Sequence, residues 1–125
     1  MAGHSTKPLL DKLGLKAGMR ARLLRAVYQA PPGVKRTRDA PWDFIHLFAK
    51  DRANLITAFP PLAQALAPAG MLRVSWPKRA SGVTTDLDEN FIRKIGLQAG
   101  LVDIKVCAVD DVWSGLKFVI PLRNR

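Results

Sequence analysis

Hydrophobic positions along this chain switch between two periods, and the switches outline its elements. The run Phe44-Ile45-His46-Leu47-Phe48, inside the segment 43–49, is apolar at all but one position, the pattern of a strand buried on both faces. Met71 to Trp76 predicts a second buried strand, ended by Pro77. Between the two, Leu55, Phe59, Leu62 and Leu66 recur at spacings of four, three and four, which is one face of a helix that Asp51 can cap. Pro60-Pro61 is expected to kink or divide this helix, and Pro68-Ala69-Gly70 to stop it. After the second strand, Asp86 with Glu89 three residues on predicts a helix start, with Leu87, Phe91, Ile95 and Ala99 on its buried face and Gly100 at its end. Val102 to Val109 alternates Ile104, Val106 and Ala108 with Asp103, Lys105 and Cys107, a strand with one wet face. Gly115 to Leu122 is the last strand, and the short connection before it makes the pair antiparallel.

The first forty residues are less regular. Pro8 to Leu13 predicts a short helix ended by Gly14, and Leu15 to Gly18 a turn into a first strand over Met19 to Val27, whose apolar pattern is interrupted by Arg20, Arg22 and Arg25. Pro31-Pro32-Gly33 is a turn, and Val34 to Arg38 a short strand polar enough to lie at an edge. This succession is an α/β layered design: a mostly parallel central sheet with right-handed crossovers, flanking helices and a C-terminal antiparallel hairpin. Repeats and linkers are absent, the surroundings of His4 look like a loose terminus, and residues 1–125 are expected to form one domain.

Charge changes the picture more than composition does. Twenty Lys and Arg against ten Asp and Glu leave +10, and eleven of those basic residues precede Leu62 against four acids. Such a balance favours acidic partners: a small anionic ligand, an acidic protein or, through the basic first half, nucleic acid. It serves solubility equally, because only Lys35-Arg36-Thr37-Arg38 and Lys78-Arg79 are clustered and no zinc-ligand spacing or RNA-binding aromatic signature accompanies them. With Cys107 as its single cysteine, no secretion signal and no apolar run of membrane-span length, the chain is expected in the cytoplasm and away from membranes.

Chemistry candidates gather where strands are expected to end. Trp76 in Arg73-Val74-Ser75-Trp76-Pro77-Lys78-Arg79 and Trp113 in Asp110-Asp111-Val112-Trp113-Ser114-Gly115 sit where apolar runs give way to polar turns, and open α/β sheets hold ligands at the carboxyl ends of their strands. Ser75, Trp76, Lys78, Arg79, Ser81, Thr85, Asp86, Asp110, Trp113, Ser114 and Lys117 are therefore the candidate ligand-binding residues, with the loop before the Asp86 helix able to hold an anion on free N–H groups. Some of these have a structural alternative: the tryptophans seal the core, Thr85 and Asp86 with Glu89 cap a helix, and Asp110-Asp111 punctuates a turn rather than pairing with Lys78 or Arg79. His46 reads as a hydrogen-bonded core histidine and Cys107 as a structural thiol. No catalytic triad or metal cluster stands out, so no catalytic residue, metal or cofactor is assigned; an enzyme using Lys78, Asp86 and Asp110 is the third alternative.

The segment Leu66-Ala67-Pro68-Ala69-Gly70-Met71 through Ser75-Trp76-Pro77-Lys78, with the hairpin after Ala99-Gly100-Leu101, resembles the second half of Rossmann-like methyltransferases. Together Lys12-Leu13-Gly14, Trp76-Pro77-Lys78, Thr85-Asp86-Leu87, Ala99-Gly100-Leu101 and Trp113-Ser114-Gly115-Leu116 are similar to a small bacterial family, domain of unknown function 3052. The resemblance implies a Rossmann-like three-layer sandwich and no established activity. It also implies where a cofactor would rest: on a glycine-rich turn after the first strand and an acidic residue after the second. Here those stretches read Leu24-Arg25-Ala26-Val27-Tyr28-Gln29-Ala30 and Val34-Lys35-Arg36-Thr37-Arg38, so a truncated fold without the usual S-adenosylmethionine site is expected.

Overall fold

A computed structural model describes residues 6–106 and 108–125; the expectations for His4 and Cys107 lie outside the described residues. Helix α1 (Thr6–Leu13) leads into strand β1 (Arg20–Leu24), the two-residue β2 (Lys35–Arg36) and β3 (Trp42–Phe48). Helix α2 (Arg52–Gln64) then precedes β4 (Leu66–Pro77), and α3 (Glu89–Gln98) precedes the closing pair β5 (Val102–Val106) and β6 (Trp113–Val119). The six strands form one sheet in the order β2-β1-β3-β4-β6-β5, with β1 to β4 parallel and β6 antiparallel to both neighbours. This is the expected mostly parallel sheet with an antiparallel C-terminal pair.

Alternation along β3 and β4 builds two cores. Ile45, Leu47 and Ala49 join Leu72, Val74 and Trp76 beneath α2 and α3, where Leu55, Phe59 and Ile92 close the layer. Phe44 and Phe48 face the other way, toward Leu13 and Leu15 at the end of α1 and Tyr28 in the loop after β1. Gly96 lets α3 approach the sheet: a Cβ there would lie 2.1 Å from the Phe118 ring, inside van der Waals contact, so only glycine fits.

Several boundaries differ from the sequence expectations, each for a physical reason. Arg20 and Arg22 alternate with the buried Ala21 and Leu23, so charge on β1 marks its second face rather than an interruption. The Arg20 guanidinium donates to the carbonyls of Asp39 and Pro41, at 2.6 and 3.1 Å, and so holds the return segment 37–41 in place of a crossover helix. Pro60 and Pro61 neither divide nor stop α2. The carbonyls four residues before them belong to Ile56 and Thr57 on the exposed side of the helix, where a carbonyl without a helical partner costs least because solvent is at hand. Leu66 opens β4 instead of ending the helix, and Pro68-Ala69-Gly70 is taken up by a register shift in which Trp42 pairs with Leu66 and Phe44 with Met71. Helix α3 begins two residues later than expected: Asp88 is its cap, accepting from the Phe91 N–H at 2.8 Å, while Asp86 is used elsewhere.

Candidate functional site

The residues with the most unusual surroundings lie inside the sheet. His46 is turned toward α1 by the β3 alternation, and Ser75 on β4 shares that face. Tyr28 comes from the loop after β1. Tyr28 Oη and His46 Nδ1 are 2.8 Å apart, and His46 Nε2 and Ser75 Oγ are 2.8 Å apart, forming a continuous Tyr–His–Ser chain. Either imidazole tautomer is satisfied, because each hydroxyl both donates and accepts. Burial, and secondarily the Arg73 cation, push the His46 pKa down to about 3, so the ring is neutral. Burial raises the Tyr28 phenol above its ordinary range, against a smaller lowering by Arg73 and Arg36.

Aromatic rings sheathe this chain. The His46 ring stacks on Phe48 at 4.2 Å, and Phe48 meets the Trp113 indole edge-on at 5.1 Å. Arg73, 3% exposed, donates from Nε to the Leu13 carbonyl at 2.8 Å and from its terminal nitrogen to the Lys12 carbonyl at 3.3 Å. A buried cation therefore caps the carboxyl end of α1, where the helix dipole is negative. The order serine, histidine, tyrosine is that of a nucleophile, a base and an orienting group, but Ser75 is 1% exposed and no substrate atom reaches its Oγ. The arrangement clamps the β1 loop to the sheet; His46 is the hydrogen-bonded core histidine the apolar run predicted.

At the carboxyl ends of the strands, the expected site residues are only partly brought together. The ladder pairs Pro77 with Trp113 and Trp76 with Ser114, so the strand ends meet as the topology required. The indoles do not share a face: Trp76 is buried with the α2/α3 core, whereas Trp113 packs with the α1 core. Their common place at the strand ends would let both tryptophans line one depression, but the fold does not allow it, since neighbouring positions on a pleated strand point to opposite sides. Ser75 is taken by His46, and Lys117 pairs in register with Arg73 within the sheet, away from the edge.

The loop that was to hold an anion uses its own polar groups. Ser81 Oγ donates to the Lys78 carbonyl and accepts from the Val83 N–H, and Thr85 Oγ1 donates to the Lys50 carbonyl and accepts from the Leu87 N–H. Asp51 caps α2 as expected, accepting from the Asn54 N–H at 2.7 Å, and Asp86 accepts from the Arg52 N–H at 2.8 Å, so it serves the start of α2 across the fold and not α3. Arg52 in turn donates to the Asp86 carbonyl, lies 3.8 Å from Asp88 and covers the Phe91 ring at 4.3 Å. Asp110 accepts from the N–H groups of Val112 and Trp113, the turn alternative. Exposed cations remain. Arg25 follows β1, Lys50 follows β3, and Lys78 and Arg79 follow β4; Lys78 is half-buried, and none of the four has an ion-pair partner among the described residues.

Arg25 closes β1 in the left-handed region at φ 59°, an uncommon backbone for a residue with a side chain. Residues 25–34 then form a loop with no helix, and its Tyr28 ring is packed against the sheet. Tyr28 and Arg73 were not singled out as site residues. For Arg73 a signal existed, a charge inside a strand otherwise buried; Tyr28 carried none.

This sheet order and layering recur in known structures. The chain aligns with magnesium protoporphyrin IX methyltransferase from Synechocystis PCC 6803, solved with bound SAM, at TM-score 0.61 and 11% identity, over 92% of this chain and 76% of that one. It has a methyltransferase-like Rossmann fold. The ribosomal protein L11 methylase of Lactobacillus delbrueckii subsp. bulgaricus superposes at TM-score 0.58 and 10% identity, over 92% and 76% of the two chains. An O-methyltransferase of neocarzinostatin biosynthesis, in complex with S-adenosylmethionine, does so at 0.53 and 16%, over 65% of this chain; the chain spans 29% of that enzyme's length. Neither a protein-family model nor a curated protein matches the chain in sequence, so the expected membership in domain of unknown function 3052 is not confirmed.

Proposed function

We propose that this Rossmann-like chain is a binding domain for a small anionic ligand, or for the acidic surface of a partner protein, at the carboxyl ends of its parallel strands. The observation that carries the reading is that cations follow β1, β3 and β4 within two residues of the strand ends: Arg25, Lys50, Lys78 and Arg79. The carboxylates of the same edge, Asp51, Asp86, Asp88 and Asp110, are turned onto backbone N–H groups and do not oppose those cations in ion pairs. An anion arriving there meets cations that are not engaged in ion pairs, at the place where open α/β sheets take ligands. Trp113, half-buried at the mouth of the aromatic sheath, offers the apolar wall.

Use of S-adenosylmethionine in the pose of the methyltransferases is not part of this proposal. Close backbone approach of a cofactor after β1 needs glycine, and this turn carries the side chains of Leu24, Arg25 and Ala26; Lys35 and Arg36 stand in the strand that would precede the ribose carboxylate. Calorimetric titration with inorganic phosphate, pyrophosphate, citrate and S-adenosylmethionine tests both halves. A small anion is expected to bind, with loss in Lys50→Ala/Lys78→Ala. No anion bound overturns the first half, and S-adenosylmethionine bound tighter than roughly 100 μM, about 5 kcal/mol, overturns the second. Retention on heparin with a steep salt slope would favour a nucleic-acid partner instead.

A further inference from the structure

We propose that residues 25–30 form a hinged strap over the strand-end site, latched by Tyr28, and that the ligand of that site carries a hydroxylated aromatic ring which takes the seat of the Tyr28 ring when the strap swings out. The inference rests on the strand-end reading above and adds the chemical class of the ligand. Among the described residues, the strap makes one hydrogen bond to the rest of the chain, between Tyr28 Oη and His46 Nδ1, and its backbone N–H groups and carbonyls have no protein partner. It is bounded by two residues in the left-handed region, Arg25 at φ 59° and Gly33 at φ 88°. Beyond it the chain is fixed again, where the Gly33 carbonyl accepts from the Gly18 N–H at 2.7 Å. Arg25, Val27 and Gln29 are exposed, and only the small Ala26 and Ala30 pack with Tyr28 against the core. A segment with so few backbone bonds and so little buried area opens locally, well before the fold as a whole.

What the strap covers suits a ring with a hydroxyl. The Tyr28 ring centroid lies 5.6 Å from that of His46 and 6.2 Å from that of Phe48, and Phe48 leads on to Trp113 at the strand ends. Lys78 is held beside Trp113, its N–H donating to the Val112 carbonyl at 2.6 Å. With Tyr28 gone, the seat keeps aromatic walls, and His46, bonded to Ser75 through Nε2, keeps Nδ1 for a hydroxyl. An aliphatic anion would leave that nitrogen unpaired. A hydroxyphenyl acid restores the bond and carries its carboxylate outward; Lys50 follows His46 by four residues, about 13 Å of strand, and its side chain spans part of that distance. Tyr28 and the ligand compete for one seat, so the apparent affinity is the intrinsic one reduced by the fraction of open strap.

Calorimetric titration of the full chain with para-hydroxyphenylacetate, phenylacetate and acetate tests the inference, together with trypsin cleavage after Arg25 followed by mass spectrometry. Para-hydroxyphenylacetate is expected to bind about tenfold tighter than phenylacetate, which lacks the hydroxyl, and tighter still than acetate, which lacks the ring. It should also speed cleavage after Arg25 by holding the strap out. Tyr28→Phe removes the latch bond and keeps the ring, so with an unchanged circular dichroism spectrum it should be cleaved there about three- to tenfold faster and bind para-hydroxyphenylacetate tighter by a similar factor. A tyrosine that serves packing alone would give no gain in affinity. Should Tyr28→Phe fail to fold, the comparison of the three acids on the wild type decides. Para-hydroxyphenylacetate bound no tighter than phenylacetate, protection of Arg25 by the bound acid, or a folded Tyr28→Phe that binds no tighter than the wild type overturns the proposal. Phosphate or citrate bound in spite of such a result leaves the strand-end reading standing, whereas no anion bound at all removes both.

Discussion

The two faces of one sheet are built on different chemistry. Beneath α2 and α3, the strands contribute Ile45, Leu47, Leu72, Val74, Leu116 and Phe118, a layer of hydrocarbon. One residue along, the same strands send His46, Arg73 and Ser75 to the α1 side, all at most 3% exposed and all engaged in hydrogen bonds. The covering differs to match. Two helices satisfy their own backbone and need only shape and apolar area from the sheet. The other face is closed by one short helix and a loop, whose carbonyls and Tyr28 need particular partners at particular places. A loop is held to a core by directional bonds where a helix is held by packing, and predictions on the two sides should therefore follow different rules.

The largest loss is expected from volume on the helical face: Phe118→Ala, which also removes the ring that Gly96 and Phe59 pack on, should cost about 3–5 kcal/mol by denaturant unfolding. A loss of only about 1 kcal/mol would mean that this face is loosely packed and the contrast is lost.

On the polar face cost should follow unpaired groups. His46→Leu strands the Tyr28 and Ser75 hydroxyls, at about 1–3 kcal/mol each, whereas His46→Leu combined with Tyr28→Phe and Ser75→Ala should recover a large part of the loss. A triple variant no more stable than the single one would assign the effect to packing.

Acid sharpens the same distinction. His46 is neutral in the fold, with its pKa lowered to about 3 from 6.5, so the unfolded chain binds the extra proton between those values. Stability is full above pH 6.5 and falls as the pH drops toward 3, by up to about 1.4 kcal/mol per pH unit. The slope in that window should shrink in the triple variant and persist in Phe118→Ala.

The smallest effect concerns a cap that neither core supplies. Asp88→Ala removes the acceptor for the Phe91 N–H and should cost about 1 kcal/mol, measurable as a lowered midpoint in urea. A similar cost for Asp86→Ala would arise in α2, not α3, and amide exchange at Arg52 would report it.

Much of this architecture was legible before any coordinates. The largely apolar segments around Ile45 and from Met71 to Trp76 are strands buried on both sides, and Leu55, Phe59 and Leu62 mark one helical face, because burial leaves its period in the chain. Even the antiparallel pairing of the last two strands followed from the length of the connection between them. The site was less legible. Sequence proximity grouped Ser75, Trp76, Lys78 and Asp86, yet the pleat separates Ser75 from Trp76, and a helix thirty-four residues upstream claims Asp86.

By itself the sequence determined which segments are strands and helices and that the sheet is mostly parallel, since these follow from local period, capping residues and connection length. Tertiary structure alone decided that Tyr28, His46 and Ser75 form one chain, that Arg73 caps α1 across sixty residues, and that Trp76 and Trp113 look away from each other. Hydrogen bonds between residues far apart in the chain leave no periodic trace in it, because a polar residue looks the same in sequence whether its partner is water or a side chain brought near by the fold.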